Sequence, residues 1–140
     1  IWACIRKPNK EFSNYLKNLQ NETGRKIEEI YFDLNNIEEV KESAEKIISQ
    51  NKNINILVNN AGIIHTSLFQ MTSIQKMKEV FQINYFSPLV FTQYIVKRMT
   101  QQKQGSIINI SSSAAIEANE GRLAYASSKA ALITSSESKR

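Results

Sequence analysis

The amino-acid sequence predicts an α/β protein in which helices cover a sheet of parallel strands. Short apolar runs alternate with longer segments whose apolar residues recur every three or four positions. The first pattern is typical of a buried strand and the second of an amphipathic helix. Polar residues directly follow the apolar runs, and ligands bind beyond the carboxyl ends of such strands. We therefore expect one ligand site at that edge of the sheet.

The first part of the chain contains two strand–helix units. Residues 1–5 predict a strand, and Pro8 opens a helix that ends at Gly24. Proline is tolerated in the first turn of a helix, and glycine is the preferred residue just after its last turn. Residues 27–32 predict the second strand, after which Asn36 caps the second helix.

The next unit contains a short strand and a long helix. Residues 55–58 predict the third strand, and residues 72–75 have the capping-box form Thr-x-x-Gln. The helix that starts there is expected to bend near Pro88, to reach about Gln102 and to be closed by Gly105.

The last elements are a strand over residues 106–110 and a helix from about Tyr125. No repeat, low-complexity tract or linker divides the chain, so residues 1–140 are expected to form one domain or most of one. Because the chain starts inside an apolar run, we expect it to be an internal piece of a longer protein.

Composition excludes several classes of protein. Hydrophobic residues make up 41% and charged residues 22% of the 140 residues, as in globular proteins. One cysteine and one histidine exclude an internal disulfide and a multi-histidine metal site, so no metal is expected. No apolar run reaches the roughly 18 residues that span a membrane. The positive charges behind the net charge of +5 are scattered, which argues against a nucleic-acid partner.

Tyr125 and Lys129 are four residues apart on a predicted helix and therefore share one face. A free tyrosine ionises only near pH ~10, and a neighbouring positive charge favours the phenolate. The pair could therefore exchange a proton with a substrate oxygen. The alternative is an exposed helical pair without a function.

Ser112 follows the fourth strand and could be brought near Tyr125 by the loop of small residues between them. Its hydroxyl could donate to a carbonyl oxygen and hold that oxygen against the phenol. The alternative is a strand-end hydroxyl that binds loop amides, a role that suits Ser111 and Ser113 better.

Four motifs, in this order, resemble the short-chain dehydrogenase/reductase family over almost the whole chain. They are Asn59-Asn60-Ala61-Gly62, Asn84, Asn109-Ile110-Ser111-Ser112 and Tyr125-x-x-Ser128-Lys129-Ala130. The resemblance implies a Rossmann-like doubly wound sheet. It also implies hydride transfer between a nicotinamide cofactor and a carbonyl or secondary alcohol. Within the family the chain looks like bacterial 3-oxoacyl-[acyl-carrier-protein] reductases, which implies a small substrate, either free or bound to a carrier protein.

The resemblance assigns four catalytic residues. Tyr125 would be the general acid or base, and Lys129 would favour the phenolate and bind the nicotinamide ribose. Ser112 would orient the substrate carbonyl. Asn84 would hold a water molecule that links Lys129 to solvent, whereas its structural alternative is to satisfy a helix irregularity near Pro88.

The resemblance also assigns cofactor-binding residues. Asp33 would accept a hydrogen bond from the adenine amino group, and Leu34 would supply a backbone contact. The segment Asn60, Ala61 and Gly62 would let the backbone approach the adenine ribose. The alternative for Asp33 is a helix N-terminal cap.

The end of the first strand predicts the choice of cofactor. An enzyme that uses NAD usually offers a carboxylate to the ribose 2′-hydroxyl at this place. Here Ile5 is followed by Arg6 and Lys7, which could pair with a 2′-phosphate. We therefore expect NADP(H) to be preferred over NAD(H). The alternative is that Arg6 merely begins a polar loop.

The chain departs from the family pattern in what it lacks. The family's first strand, its glycine-rich turn and its C-terminal strands are absent, and the missing strand would lie between the first and third strands here. The 140 residues alone are therefore expected to be inactive. The competing hypothesis is a catalytically silent member or fragment that acts as a binding or scaffolding module.

The resemblance further implies a cytoplasmic protein that forms a homodimer or homotetramer at full length. Phe81, Tyr85, Phe91 and Ile95 could supply the subunit interface and could equally belong to the core.

Overall fold

The computed structural model describes residues 1–117 and 120–137 of the chain as four strands and a series of helices. The strands are β1 (Trp2–Ile5), β2 (Glu28–Tyr31), β3 (Ile56–Asn59) and β4 (Ser106–Asn109). The α-helices are α1 (Lys10–Thr23), α2 (Ile37–Ser49), α3 (Ile74–Phe81), α4 (Ser87–Gln101) and α5 (Leu123–Glu137). Shorter helical turns occupy Phe69–Met71 and Ser113–Ala115, and a π-helical segment, Gln82–Phe86, joins α3 to α4. The predicted alternation of strands and helices is confirmed.

The described strands form two parallel pairs rather than one continuous sheet. β1 pairs with β2 in the register Trp2↔Glu28, and β3 pairs with β4 in the register Ile56↔Ser106. A cleft of about 760 Å³ is lined by residues of both β1 and β3. The break lies where the family resemblance places a strand that these residues do not supply.

One apolar core holds the two strand pairs together. It consists of residues from the ends of β2 and β3 and from α2 and α4, namely Ile30, Phe32, Val40, Ala44, Ile47, Ile54, Phe91, Ile95 and Met99. The rings of Phe32 and Phe91 stack with centroids 5.5 Å apart. The core therefore supplies the cohesion that strand-to-strand hydrogen bonds do not supply between β1 and β3.

Two of the four proposed interface residues belong to this core. Phe91 and Ile95 are buried in the core, so of the two roles considered for them the core role is confirmed. The Tyr85 hydroxyl is hydrogen-bonded to Ser135 Oγ at 2.8 Å and is thereby tied to α5. Among the described residues, no helix is both long enough and apolar enough to cross a membrane.

The first two helices differ little from the prediction. Gly24 adopts the left-handed conformation at the end of α1, and the Asn36 side chain accepts hydrogen bonds from the first turn of α2, as expected. α1 begins after Pro8, however, because the side chain of Asn9 is the N-cap and accepts from Phe12 N–H at 2.9 Å. A capping side chain satisfies an otherwise unpaired amide, which Pro8 cannot do.

The long helix departs from the prediction at three points. Its N-cap is Ser73 rather than Thr72, since the Ser73 hydroxyl accepts from Lys76 N–H. Its irregularity is the π-helical segment before Pro88, where Ser87 N–H donates to Gln82 O. It ends as Lys103 turns left-handed, at φ 56°.

Gly105 does not close this helix. Glycine is required at this position because β4 starts close to α4. A Cβ atom at Gly105 would overlap the Met99 side chain, so only glycine allows β4 to start this close to α4.

A charged cluster around Glu28 ties β2 to the segment after α2. The Glu28 carboxylate lies 3.0 Å from Lys26 Nζ and 2.9 Å from Lys52 Nζ, and it accepts from Gln50 Nε2 at 2.8 Å. Gln50 in turn accepts from Trp2 Nε1, and Lys52 lies over the Trp2 ring. Hydrogen bonds from Lys52, then from Lys26 and Gln50, lower the pKa of Glu28 to about 2.

The lowered pKa predicts an acid-dependent loss of stability. A carboxylate whose pKa is depressed by folding stabilises the protein above its ordinary pKa of about 4.3, and this contribution disappears as the pH falls toward 2. We expect Glu28→Gln to unfold at a lower urea concentration than the parent protein at pH 7, with the difference shrinking between about pH 5 and pH 2. Glu38→Gln, which breaks an exposed pair with Lys41, is the control. A pH-independent difference would contradict this role of Glu28.

Candidate active site

Two asparagines at strand ends fasten the carboxyl edge of the β3–β4 pair. Asn59 Nδ2 donates to Asn109 Oδ1 at 2.8 Å and to Thr92 Oγ1 of α4 at 2.9 Å. Asn109 Nδ2 donates to Ser136 Oγ of α5 at 2.7 Å. Since an amide group can both donate and accept, this pair joins two strands to two helices at the edge where the candidate site lies.

Asn84 is the buried centre of the site. It belongs to the π-helical segment and is 1% exposed. Its Oδ1 accepts from Ile63 N–H at 2.8 Å, and its Nδ2 donates to Ile63 O at 2.9 Å and to Ser128 Oγ at 3.0 Å. The side chain thereby links the loop after β3 to α5.

Lys129 places a buried ammonium beside the end of β4. The residue is 4% exposed, and its Nζ donates to Ile110 O at 2.8 Å. Burial lowers the pKa of Lys129, while the negative charge of an ionised Tyr125 acts in the opposite direction and favours the ammonium. The two side chains are therefore electrostatically coupled along one face of α5.

The backbone of α5 is held by two neighbouring serines. Ser128 Oγ donates to Tyr125 O at 2.7 Å and accepts from Asn84, so this fully buried hydroxyl connects Asn84 to the turn that carries Tyr125. Ser111 Oγ donates to Lys129 O at 3.0 Å. The segment that contains Ser112 is thus fastened to the helix that contains Tyr125 and Lys129.

Ser112 fills the loop-amide role considered for it. Its Oγ accepts from Ala114 N–H at 3.3 Å and caps the short turn Ser113–Ala115, which packs against α5. That bond uses a lone pair of the oxygen and leaves the O–H hydrogen able to donate to a substrate. The sequence favours Ser111 and Ser113 for the loop-amide role, whereas in the structure Ser112 accepts from Ala114 N–H and Ser111 Oγ donates to Lys129 O.

Gly62 brings the loop after β3 into contact with these groups. A Cβ atom built at Gly62 would lie 3.0 Å from Asn84 Oδ1 and 3.6 Å from Lys129 Nζ. The backbone at Gly62 therefore passes directly over the buried amide and the ammonium, an approach that a larger residue would obstruct.

The candidate cofactor residues share one cleft. Its lining includes all six of those on the first three strand ends, namely Arg6, Asp33, Leu34, Asn60, Ala61 and Gly62. These residues follow β1, β2 and β3, so their common position results from the parallel direction of the strands. Apolar core residues, including Phe32 and Phe91, form the floor of the cleft.

The apolar part of this cleft is the space between β1 and β3 where the family resemblance places a strand, whereas its rim at the strand ends carries polar groups that suit the adenosine part of a dinucleotide. The rim offers a carboxylate at Asp33 and a cation at Arg6, and Gly62 connects it to Lys129. For the pyrophosphate the sequence provides no Gly-rich turn, since its four glycines, Gly24, Gly62, Gly105 and Gly121, are far apart.

Asp33 also has a structural role, although it is not the helix cap. Its Oδ1 accepts from Asn35 N–H at 2.8 Å, and its own N–H donates to Glu39 at 2.8 Å. The cap of α2 is Asn36. The helix-cap alternative for Asp33 is therefore wrong, and the carboxylate stabilises the loop that lines the cleft.

Sequence reasoning missed two features of the site. Ser128 is the hydrogen-bonded bridge between Asn84 and Tyr125, whereas the sequence shows it only as one position of a motif. In the loop after β3, the buried His65 Nε2 has no hydrogen-bond partner among the described residues. Neither feature leaves a periodic signal in the sequence, because each depends on which residues the fold brings together.

Comparisons with known proteins agree with this geometry. Residues 2–140 match the family model for short chain dehydrogenases. The chain is 33% identical over 108 residues to a 3-oxoacyl-[acyl-carrier-protein] reductase of Thermotoga maritima, covering 77% of this chain and 44% of that protein. It is 34% identical over 101 residues to an acetoacetyl-CoA reductase of Acinetobacter sp., covering 72% of this chain and 41% of that protein.

A solved structure matches almost the whole fold. A short-chain dehydrogenase from Streptomyces avermitilis superposes with a TM-score of 0.85 at 26% identity, covering 98% of this chain and 48% of that one. The predicted Rossmann-like α/β class is confirmed. The chain spans less than half the length of each of these relatives.

The close approach at Gly62 predicts a specific loss of stability. In Gly62→Ala the added methyl group would press on Asn84, which three hydrogen bonds prevent from moving, and we expect a destabilisation of about 1–3 kcal/mol. Urea unfolding of the parent and the variant measures it. Ala61→Ser, at the exposed neighbouring position, is the control. Equal stability of Gly62→Ala and the parent would show that the loop is not held against Asn84.

Proposed function

The chain belongs to the short-chain dehydrogenase family, and we propose that the whole protein is an NADP(H)-dependent oxidoreductase that interconverts a carbonyl and a secondary alcohol. One observation carries the proposal. The Tyr125–Lys129 pair adjoins the cofactor cleft, because Lys129 Nζ lies 3.6 Å from the position of a Cβ at Gly62, which lines that cleft. A proton donor and a cofactor site are thus neighbours.

Tyr125 performs the proton transfer in this proposal. During reduction its O–H bond breaks, the proton passes to the carbonyl oxygen, and the phenolate remains next to the Lys129 ammonium. When bound, the reduced nicotinamide supplies the hydride to the carbonyl carbon. Ser112 donates a hydrogen bond to the same oxygen and orients it. In the oxidative direction the Tyr125 phenolate accepts the proton of the alcohol.

Asn84 holds the end of the proton relay in this proposal. Its side-chain amide already makes three hydrogen bonds to Ile63 and Ser128. A relay water would therefore bind to the backbone carbonyl of Asn84, which lies where the π-helical segment interrupts the regular pattern of backbone bonds. Lys129 Nζ, bonded to Ile110 O, would be the other partner of that water.

The cofactor would lie along the carboxyl ends of β1, β2 and β3. Asp33 and Leu34 would bind the adenine, the segment Asn60–Gly62 would approach the ribose, and Arg6 would pair with the 2′-phosphate. Lys129 and Tyr125 would contact the nicotinamide ribose. The lining of the cleft by all of the adenosine-side residues supports this arrangement.

A 3-oxoacyl thioester is the substrate class that we propose. The names of the Thermotoga maritima and Acinetobacter relatives support it, since both describe reductases of such compounds. The net charge of +5 suits an acidic carrier protein or the phosphates of coenzyme A. A cytoplasmic homodimer or homotetramer remains a prediction from the family.

The competing function is a silent binding module. Enhancement of NADPH fluorescence by the protein, together with turnover of acetoacetyl-CoA, supports the enzyme. NADPH binding without turnover by the whole protein supports the module.

The acid role of Tyr125 predicts the effect of removing one oxygen atom. In the whole protein, Tyr125→Phe should lower kcat by about 10²–10⁴-fold, the usual contribution of a general acid. NADPH oxidation with acetoacetyl-CoA is the assay. Tyr85→Phe, which removes a hydroxyl bonded to Ser135, is the matched control and should keep its activity. Unchanged activity in Tyr125→Phe would remove the proposed acid.

The cofactor assignment predicts a selective effect at Arg6. A charge-assisted hydrogen bond is worth about 1.5–3 kcal/mol, so Arg6→Ala should raise the KM for NADPH by about tenfold or more and leave the KM for NADH nearly unchanged. Lys10→Ala, on α1, is the control. Preference of the parent protein for NADH by tenfold would contradict the assignment of Arg6.

A further inference from the structure

Ser87 makes an unusual pair of buried contacts at the start of α4. Its side chain is fully buried, and its hydroxyl donates to Leu34 O at 2.5 Å. The same oxygen accepts from Gln82 Nε2 at 2.8 Å. The hydroxyl thus has one donor and one acceptor partner, and the bond to Leu34 joins residues 53 positions apart.

Leu34 belongs to the loop that carries the proposed adenine contacts. Asp33 and Leu34 both line the cleft. On the other side of this loop, Asp33 N–H donates to Glu39, and Asn36 N–H donates to Asp33 O at 2.9 Å. Ser87 therefore holds the loop from the α4 side while α2 holds it from the opposite direction.

The helix segment that carries Ser87 also serves the catalytic side. Ser87 N–H closes the π-helical segment by donating to Gln82 O, and Asn84 within that segment bonds to Ile63 and Ser128. One short stretch of chain thus contacts both the adenine loop and the loop beside Lys129.

We propose that Ser87 is a positioning residue for the adenine end of the cofactor, acting through the Leu34 carbonyl to hold the Asp33 side chain at the cleft. The inference rests on the proposed function, since it concerns the same cofactor site. Ser87 does not touch the cofactor. Its removal should weaken recognition of the adenosine half and leave the nicotinamide half and the proton transfer intact.

Binding of the two halves of the cofactor tests this role in the whole protein. We expect Ser87→Ala to weaken the binding of 2′,5′-ADP by about five- to tenfold, as expected for the loss of one buried hydrogen bond. Binding of reduced nicotinamide mononucleotide should change by less than twofold. Ser43→Ala, which shortens another buried serine, on α2, is the matched control and should bind both ligands like the parent.

Amide hydrogen exchange gives a readout without any ligand. Exchange at Asn35 and Asn36 should become faster in Ser87→Ala and not in Ser43→Ala. If Ser87→Ala does not fold, Gln82→Met removes the donor that orients the Ser87 hydroxyl, and it should shift both measurements in the same direction by a smaller factor.

The outcomes distinguish failure of the Ser87 role from failure of the proposed function. Unchanged 2′,5′-ADP binding and unchanged exchange in the variants, with a parent that binds NADPH, would overturn the role of Ser87 and leave the proposed function standing. Equal weakening of both cofactor halves would also overturn it, because Ser87 would then be a general structural residue. A parent protein that binds neither NADPH nor 2′,5′-ADP would overturn both.

Discussion

The buried amide of Asn84 is the interaction on which the rest of the site depends. A buried amide group costs free energy unless its donors and acceptor are paired, and here Ile63 and Ser128 pair them. Because these partners lie on the loop after β3 and on α5, the same bonds bring Gly62 and Lys129 to one place. The Asn84 side chain thus sets the position of the loop after β3 and of α5, which carry the other groups of the site.

The strand ends of the divided sheet supply the second group of site residues, while the gap between the two strand pairs lies where the family resemblance places a further strand. Two parallel pairs, held together by the core between α2 and α4, leave a cleft whose upper edge consists of strand ends. Parallel strands place their carboxyl ends on the same edge, so residues from three separate segments line one cavity. The side chains of Ile56 and Val58 on β3 are exposed because they line this opening.

Much of the site could be predicted from short motifs, and part of it could not. The pairing of Tyr125 with Lys129 follows from helical spacing, and the grouping of Arg6, Asp33 and Gly62 follows from strand direction. The roles of Ser87 and Ser128 could not be predicted, since a lone serine in a helix has no pattern that reveals its partner. The predicted caps lie within one or two residues of the observed ones. The sequence did not single out Asn9 and Ser73, because the residues next to them could also begin the helix.

The sequence by itself determined the class of fold, the order of its elements and the family to which the chain belongs. These properties depend on local periodicity and on short motifs, which are properties of the chain alone. Only the tertiary structure decided that Phe91 and Ile95 are buried and that Ser87 reaches Leu34. Those outcomes depend on which distant surfaces pack together, and packing is set by the whole set of contacts rather than by any one segment.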